Sequence, residues 1–258
     1  MKNTKSNSNI IEIFEKLNSS QKQVIIETSR ILLIPFEKNE LTNKDKLFNE
    51  AIVNTIGDFL KMHHCFSKEP FSKDKFEYAL EKIFTINGIN AELASKGNRG
   101  HDITINEIKV SLKTQADKNI RVDEIHISKF MELGKGPWIL EELRKQFLSH
   151  MKSYELIYSL RCLSSEEERE TGIWSYELIN IPISLLKQAE SGSFRIMEDS
   201  KQDPKPGYCD IFESDKKNVK FQLYFDGGSE RKLQIKHLQK KHCILIAQWK
   251  FSINEKHH

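Results

Sequence analysis

An aspartate, a serine and a lysine that could share one reaction centre lie within residues 100–115, GHDITINEIKVSLKTQ. Apolar and polar residues alternate on both sides of Asn106-Glu107, which predicts a β-hairpin with these two residues as its turn. In that register Asp102 faces Ser111 on the neighbouring strand, and Lys113 follows one step further along the same face. A carboxylate and an ammonium group placed in this way can hold a divalent cation and a water molecule beside it.

The hairpin needs an apolar face if it is to pack on a core. Aliphatic residues alternate with the polar ones and supply that face. They are Ile103, Ile105, Ile108, Val110 and Leu112. Thr104 and Lys109 lie with Asp102 on the polar side. We therefore expect a half-buried hairpin.

This hairpin resembles the catalytic hairpin of the PD-(D/E)XK nuclease superfamily, and within it that of the type II restriction endonucleases. The resemblance covers roughly residues 43–140: a helix that carries an acid, a glycine-containing approach, an aspartate that opens the hairpin and a lysine on its second strand. His101 stands where the superfamily has proline, and Ser111 stands where it usually has Asp or Glu. Some restriction enzymes are similar in having serine or alanine there, and they bring the second carboxylate from a helix.

The resemblance implies hydrolysis of DNA phosphodiester bonds with Mg²⁺ as cofactor. Asp102 and Glu50, an acid on the predicted helix LFNEAIVNTIGDFL, are the expected metal ligands, because Mg²⁺ prefers hard oxygen ligands. Lys113 is the expected water activator or charge stabiliser, since an ammonium group offsets charge that builds on phosphorus. Ser111 completes the expected catalytic set.

Two parts of this assignment stay open in the sequence. The tripeptide Glu107-Ile108-Lys109 also matches the literal E-x-K pattern, although the register puts its glutamate in the turn, away from the aspartate. Its lysine is therefore the alternative to Lys113. Its glutamate and Glu124 are the alternatives to Glu50 as the second acid.

Basic and amide side chains elsewhere in the chain predict contacts with DNA. After a two-glycine turn, polar and apolar residues alternate, so Lys232, Gln234 and Lys236 share one face of a strand. Glutamine can pair with adenine and lysine with guanine in the major groove, while other basic side chains neutralise phosphates. Ser128 and Lys129 are expected against the DNA backbone, since hydroxyl and ammonium groups position phosphates.

The elements that must position these residues change in type along the chain. Apolar residues at three-to-four spacing predict helices over the first third, and alternating patterns predict strands further on. Residues from Ile125 to Trp138 predict a helix that ends at glycines. We expect an α/β fold: a restriction-endonuclease-like mixed β-sheet flanked by helices, with a helical N-terminal part and a C-terminal β-rich extension. The expected segments are 1–42, helical; 43–190, the nuclease core; and 191–258, β-rich and in contact with DNA.

Composition limits the classes of function. The chain has 258 residues and a formal net charge of +3, which excludes a histone-like polycation. No apolar run approaches the roughly 20 residues that cross a bilayer, and the N-terminus lacks the apolar stretch of a signal peptide. The four cysteines form no CxxC pair, which predicts reduced thiols in a cytoplasmic protein. His63-His64-Cys65 would need distant partners to complete a tetrahedral metal site.

The sequence as a whole predicts a Mg²⁺-dependent, sequence-specific double-stranded DNA endonuclease of the type II restriction class. The alternatives are a repair or recombination nuclease of the same superfamily and a non-catalytic DNA-binding protein. A palindromic target would suit a twofold homodimer, because each copy cuts one strand. A cognate DNA methyltransferase that acts on the same site is the further partner that this function implies.

Overall fold

The computed structural model describes residues 10–254 except 44, 96, 99 and 119. The helices are α1 Ser19–Leu33, α2 Glu50–Phe66, α3 Lys73–Ile86, α4 Leu140–His150, α5 Glu166–Glu170 and α6 Ile183–Leu186. The strands are β1 Lys38–Leu41, β2 Ala91–Leu93, β3 Ile103–Ile105, β4 Ile108–Gln115, β5 Glu124–Glu132, β6 Leu156–Cys162, β7 Ile173–Asn180, β8 Ser193–Ile196, β9 Gly207–Phe212, β10 Val219–Asp226, β11 Lys232–Gln239 and β12 Ile244–Ser252. Residues 10–15 are also helical.

The strands form two sheets. The first has the order β1-β12-β7-β6-β4-β3-β2, in which β4 and β6 are parallel and the other neighbours antiparallel. The second, β5-β11-β10-β9-β8, is antiparallel throughout. Helix α4 lies between β4 and β6 in the chain, since parallel neighbours need a crossover connection. The predicted α/β class, with a mixed sheet flanked by helices, is confirmed.

The hairpin of β3 and β4 has the predicted turn and register. Ile105 pairs with Ile108 directly across the turn. Asn106 and Glu107 have φ angles of 45° and 70°. Two positive φ angles are what a two-residue type I′ turn requires, and its twist matches that of the flanking strands. Both predictions are confirmed.

Two hydrophobic cores lie on opposite faces of the first sheet. Helices α2 and α3 pack on one face, where Val110 and Leu112 of β4 are buried. Helix α4 and the second sheet pack on the other face, against Ile157 of β6 and Ile179 of β7. The expectation of a half-buried hairpin is wrong for β4, because the second sheet covers its polar face and leaves Lys113 only 7% exposed.

The predicted helix over Ile125 to Trp138 is also wrong, because this segment contains strand β5. Ile125 and Ile127 are buried while His126 between them is less so, which is the period-two pattern of a strand. Pairing with β11 completes the backbone hydrogen bonds of β5. Without knowledge of that distant partner, a short apolar run is ambiguous between helix and strand.

The two ends of the chain meet in the first sheet. Strand β1 pairs with β12, so strands from all three expected segments contribute to this sheet. Strand β5, which comes from the middle of the chain, joins the second sheet instead. The segment boundaries expected from sequence therefore do not follow the division into sheets.

The run His63-His64-Cys65 lies on α2, where His64 is buried in the core and its two neighbours are partly exposed. The imidazole of His64 stacks on Trp174 with ring centroids 3.4 Å apart, and its Nε2 lies 2.7 Å from the hydroxyl of Tyr176. Burial lowers the pKa of His64 to about 3, so this side chain is neutral at physiological pH. All four cysteines are free thiols. None of the described helices is long and apolar enough to cross a lipid bilayer.

Candidate active site

The carboxylate of Asp102 is fixed at the start of the β3–β4 hairpin. Its backbone N–H donates to the carbonyl of Val110 and extends the ladder by one bond. Its Oδ2 accepts hydrogen bonds from the backbone N–H of Leu112, at 2.6 Å, and from the hydroxyl of Ser111, at 3.2 Å. The hydrogen bond between Ser111 and Asp102 follows the register predicted from the sequence.

Lys113 reaches the same point from β4. Its Nζ donates to Ser111 Oγ at 2.9 Å and lies 3.8 Å from Asp102 Oδ2. The ring of Phe130 on β5 covers the ammonium group from the other side, with its centroid 5.4 Å away. Burial lowers the pKa of Lys113 to about 8, although the charge of Asp102 opposes this shift. The ammonium group can therefore exchange its proton close to physiological pH.

Helix α3 adds two charged residues that the sequence analysis missed. The Nζ of Lys73 lies 2.8 Å from Asp102 Oδ1 and 2.9 Å from Glu77 Oε1, so one ammonium group joins two carboxylates. Lys73 and Glu77 are four residues apart and so share one face of the helix. Burial alone would raise the pKa of Asp102, but Lys113 and Lys73 hold it below its ordinary value. Asp102 is thus ionised at neutral pH.

Asp102, Lys113 and Lys73 line an open cleft of about 760 Å³. Strand β5 and helix α4 form its walls, through side chains that include Lys129, Met131, Gln146 and His150. The approach to Asp102 passes Gly100, where a Cβ atom would lie 2.8 Å from the side chain of Ser153. Only glycine lets the chain run this close to its neighbour without displacing it.

The structure separates the alternatives that the sequence left open. Glu107 and Lys109 are exposed, in and beside the hairpin turn, and neither lines the cleft. Glu124 lies at the start of β5, where its carboxylate pairs with Arg121 and His237. Lys113 is the lysine of the hairpin that lies beside the aspartate.

Glu50 does not take the position expected of it. It is the exposed first residue of α2 and is not among the residues that line the cleft. The acid that the structure brings towards Asp102 is Glu77, on the helix that directly precedes the hairpin. Glu77 and Asp102 share the ammonium group of Lys73, whereas Glu50 lies elsewhere on the surface. The signal present in the sequence is the spacing of Lys73 and Glu77, which places both side chains on one face of the helix.

The residues predicted to contact DNA fall into two places. Lys129 lines the cleft and Ser128 is exposed next to it on β5. Lys232, Gln234 and Lys236 lie side by side on the surface of the second sheet, because the apolar residues between them point into the core. The predicted strand face is thus present.

The fold and the chemistry of the cleft together indicate an enzyme. An ionised carboxylate beside a buried ammonium group, in an open cleft of a mixed α/β fold, suits an enzyme that stabilises charge on a phosphodiester. Residues 19–251 match the sequence model of the SmaI family, type II site-specific deoxyribonucleases. The chain is 44% identical over 243 residues to the type II restriction enzyme SmaI of Serratia marcescens, a match that covers 94% of this chain and 96% of that protein.

The chain therefore belongs to the SmaI family of type II site-specific deoxyribonucleases. It is a sequence-specific restriction endonuclease that acts on double-stranded DNA, as the sequence predicted. Membership of this family favours that prediction over a repair nuclease and over a non-catalytic DNA-binding protein. No solved structure matches the chain.

Proposed function

We propose that this restriction enzyme cuts DNA at the cleft around Asp102 and Lys113, that Mg²⁺ is its cofactor, and that it belongs to the PD-(D/E)XK superfamily. The observation that carries the proposal is the convergence of Asp102, Ser111 and Lys113 on one point of the cleft floor. The order of elements supports it. Helix α3 leads into the antiparallel strands β2, β3 and β4, and α4 then precedes β6, the parallel neighbour of β4.

The donor set suits Mg²⁺. Asp102 Oδ1 and Glu77 Oε1 already converge on one cation, the ammonium group of Lys73, at 2.8 and 2.9 Å. No group of three or more His, Cys, Asp or Glu residues suited to a metal occurs in the described part of the chain. Two carboxylates are enough for Mg²⁺, because this ion keeps several water ligands and completes its shell with substrate phosphate. Asp102 and Glu77 would hold it, and when bound it would polarise the phosphate and acidify a water molecule.

Lys113 supplies positive charge at the reaction centre. At neutral pH most of the lysine is protonated, because its pKa is about 8. The buried ammonium group can donate to a phosphate oxygen on which negative charge develops, and in its neutral form it can accept a proton from the attacking water. Ser111 is a positioning residue, since its hydroxyl holds the ammonium group at 2.9 Å and also donates to Asp102.

Two groups of side chains would hold the duplex. Lys129 and Ser128 lie beside the cleft, where an ammonium group and a hydroxyl can contact phosphates on either side of the cut. Lys232, Gln234 and Lys236 offer hydrogen bonds from the surface of the second sheet. The first group positions the backbone, and the second contacts the DNA away from the reaction centre.

The enzyme acts as a twofold homodimer in this proposal. The described residues contain one such cleft, whereas duplex DNA presents two strands of opposite direction. A symmetric pair of subunits brings one site to each strand of a palindrome. Sedimentation of the purified protein tests the dimer, and a monomer on cognate DNA would contradict it.

Two further proposals concern the setting in which the enzyme acts. A DNA methyltransferase that modifies the same site would protect the host genome. The free cysteines accord with the reducing cytoplasm.

A plasmid digest tests the cofactor. With Mg²⁺ the purified enzyme should give a fixed set of fragments, and excess EDTA should stop cutting until Mg²⁺ is restored. Fragments that form equally well after exhaustive removal of divalent ions would overturn the metal proposal. The fragment ends also define the recognition site for measurements of DNA binding.

A further inference from the structure

The second sheet has one apolar face and one polar face. Along β10 and β11 the apolar residues point into the core, and the residues between them lie half-buried at the surface. Asp210 on β9 continues this surface as a nearly buried residue. The side chains that define this outer face are Asp210, Gln222, Tyr224, Asp226, Gln234 and Lys236.

The register arranges these side chains in rows across the strands. Asp210, Gln222 and Lys236 form one row, and Tyr224 and Gln234 form the next. Neighbouring strands are about 4.8 Å apart, and rows two residues apart are separated by about 7 Å. That separation is close to two base steps of about 3.4 Å. The outer face is therefore a regular array on the scale of stacked bases.

Contacts within the array fix its side chains in place. The amide of Gln234 donates to Asp226 Oδ2 at 3.2 Å, and the amide of Gln222 donates to Asp210 Oδ1 at 2.8 Å. The Nζ of Lys236 lies 3.7 Å from the centre of the Tyr224 ring. Two acid–amide pairs thus flank one lysine held on an aromatic ring. Such mutual support lowers the entropy lost when the side chains bind a ligand.

The charges of the array argue against a role in phosphate binding alone. A surface that contacts only the DNA backbone is cationic, because each contact neutralises a phosphate. Here Asp226 brings a carboxylate that repels phosphates, whereas the charge of Asp210 is paired with Arg195, whose Nε lies 3.3 Å from Asp210 Oδ2. Base edges in the major groove differ from the backbone because they present both donors and acceptors. A carboxylate can accept from the amino group of cytosine, and a lysine can donate to guanine.

A polar path connects the array to the catalytic cleft. Gln115 lies two residues beyond Lys113 on β4 and accepts a hydrogen bond from the backbone N–H of His126, at 3.4 Å. The ring of His126 in turn lies 3.3 Å from Gln234 Oε1. Strand β5 therefore lies between the two surfaces, with Lys129 lining the cleft and His126 beside Gln234 of the outer face.

We propose that the outer face reads the base sequence of the target from the major groove, with Asp226 as acceptor and Lys236 and Gln234 as its neighbouring donors. Asp210 is buried and holds Gln222 in place. The proposal extends the predicted contacts of Lys236 and Gln234 to an acid that sets specificity, and it rests on the proposed function only in taking the catalytic cleft to engage the same duplex.

The test compares binding to two duplexes, one with the cut site recovered from the plasmid fragments and one with the same bases in scrambled order. Binding is measured by fluorescence anisotropy with Ca²⁺, which takes the same oxygen ligands as Mg²⁺. Asp226→Asn keeps an oxygen that can accept from the N–H of Gly228, as Asp226 does at 3.1 Å, but removes the charge. It should lower the preference for the cut site on the order of 10-fold. Affinity for the scrambled duplex should not fall, because the change removes a carboxylate that repels phosphates.

The surface pair Glu27–Arg30 supplies the control, because Glu27→Gln makes the same change of charge on α1, which packs on α2. If Asp226→Asn does not fold, Lys236→Met carries the test, since its side chain still packs on Tyr224. An unchanged preference in a folded variant would overturn the proposal, as would an equal loss of affinity for both duplexes. The assay involves no cleavage, so its result is independent of whether the catalytic residues are correctly assigned.

Discussion

The Asp102 cleft and the outer face of the second sheet both carry acids beside lysines, but they hold them differently. In the cleft, Lys113 is almost fully buried between the Asp102 carboxylate, the Ser111 hydroxyl and the ring of Phe130. On the outer face, Lys236 is only partly buried and rests on the ring of Tyr224. Burial lowers the pKa of both lysines, to about 8 for Lys113. Desolvated charge suits chemistry on a phosphate, whereas accessible hydrogen-bonding groups suit recognition.

The largest expected effect distinguishes these two regions directly. Asp102→Asn removes a charge from the reaction centre and should slow cleavage on the order of 1000-fold. DNA affinity and the preference for the cut site should persist, because the outer face is untouched. Single-turnover cleavage and anisotropy measure the two quantities on one preparation. Loss of sequence preference in this variant would show that the two regions do not act separately.

A smaller effect is expected for the second acid. Glu77→Gln should reduce cleavage by at least the roughly 10–100-fold that partners of a metal centre typically contribute, and it should raise the Mg²⁺ concentration needed for cutting. Glu50→Gln is the matched control and should cut like the wild type, since Glu50 is exposed at the start of α2. A Mg²⁺ titration in which Glu50→Gln is impaired and Glu77→Gln behaves like the wild type would identify Glu50 as the second metal ligand.

The difference in pKa between Lys113 and the exposed lysines can be measured without DNA or metal. In an NMR titration of lysine-labelled protein, Lys113 should titrate near its pKa of about 8, while solvent-exposed lysines titrate near 10.4. Asp102→Asn should lower the pKa of Lys113 further, because the carboxylate stabilises the ammonium group. Lys113→Met identifies the signal. A midpoint for Lys113 above 10 would contradict a desolvated cleft floor.

The smallest effect concerns Lys73, whose ammonium group lies between the two proposed metal ligands. A cation that binds Asp102 and Glu77 must displace this group. Lys73→Met should therefore strengthen Mg²⁺ binding to the DNA-free enzyme several-fold, as measured by calorimetry. Lys75→Met changes an exposed lysine on the same helix and should leave the affinity unaltered. Weaker Mg²⁺ binding in Lys73→Met would mean that the ion binds elsewhere.

The hairpin could be predicted from sequence because its determinants are local. Alternation of apolar residues sets the faces, and the Asn106-Glu107 turn sets the register. Those two local features are enough to place Asp102, Ser111 and Lys113 together. The family resemblance drew on Asp102 and Lys113 together with the helix and the glycines before the hairpin, whereas Ser111 departs from the family's usual pattern.

What could not be predicted depends on contacts between distant segments. Whether β5 forms a strand is decided by β11, about a hundred residues away in the chain, and β5 in turn buries Lys113. Two amphipathic helices precede the hairpin, and each carries acids. Periodicity does not say which helix packs beside Asp102, so the sequence could not show that Glu77, and not Glu50, lies near it.

Cleavage by Lys113→Met and Lys109→Met, two variants of one strand, tests the catalytic assignment most directly. Both changes remove an ammonium group, one buried beside Asp102 and the other exposed next to the turn. Single-turnover cleavage of the cognate duplex should fall by roughly 100-fold or more in Lys113→Met and stay at the wild-type rate in Lys109→Met, while both variants bind DNA. Full cleavage by Lys113→Met, or loss of cleavage in Lys109→Met, would contradict the account.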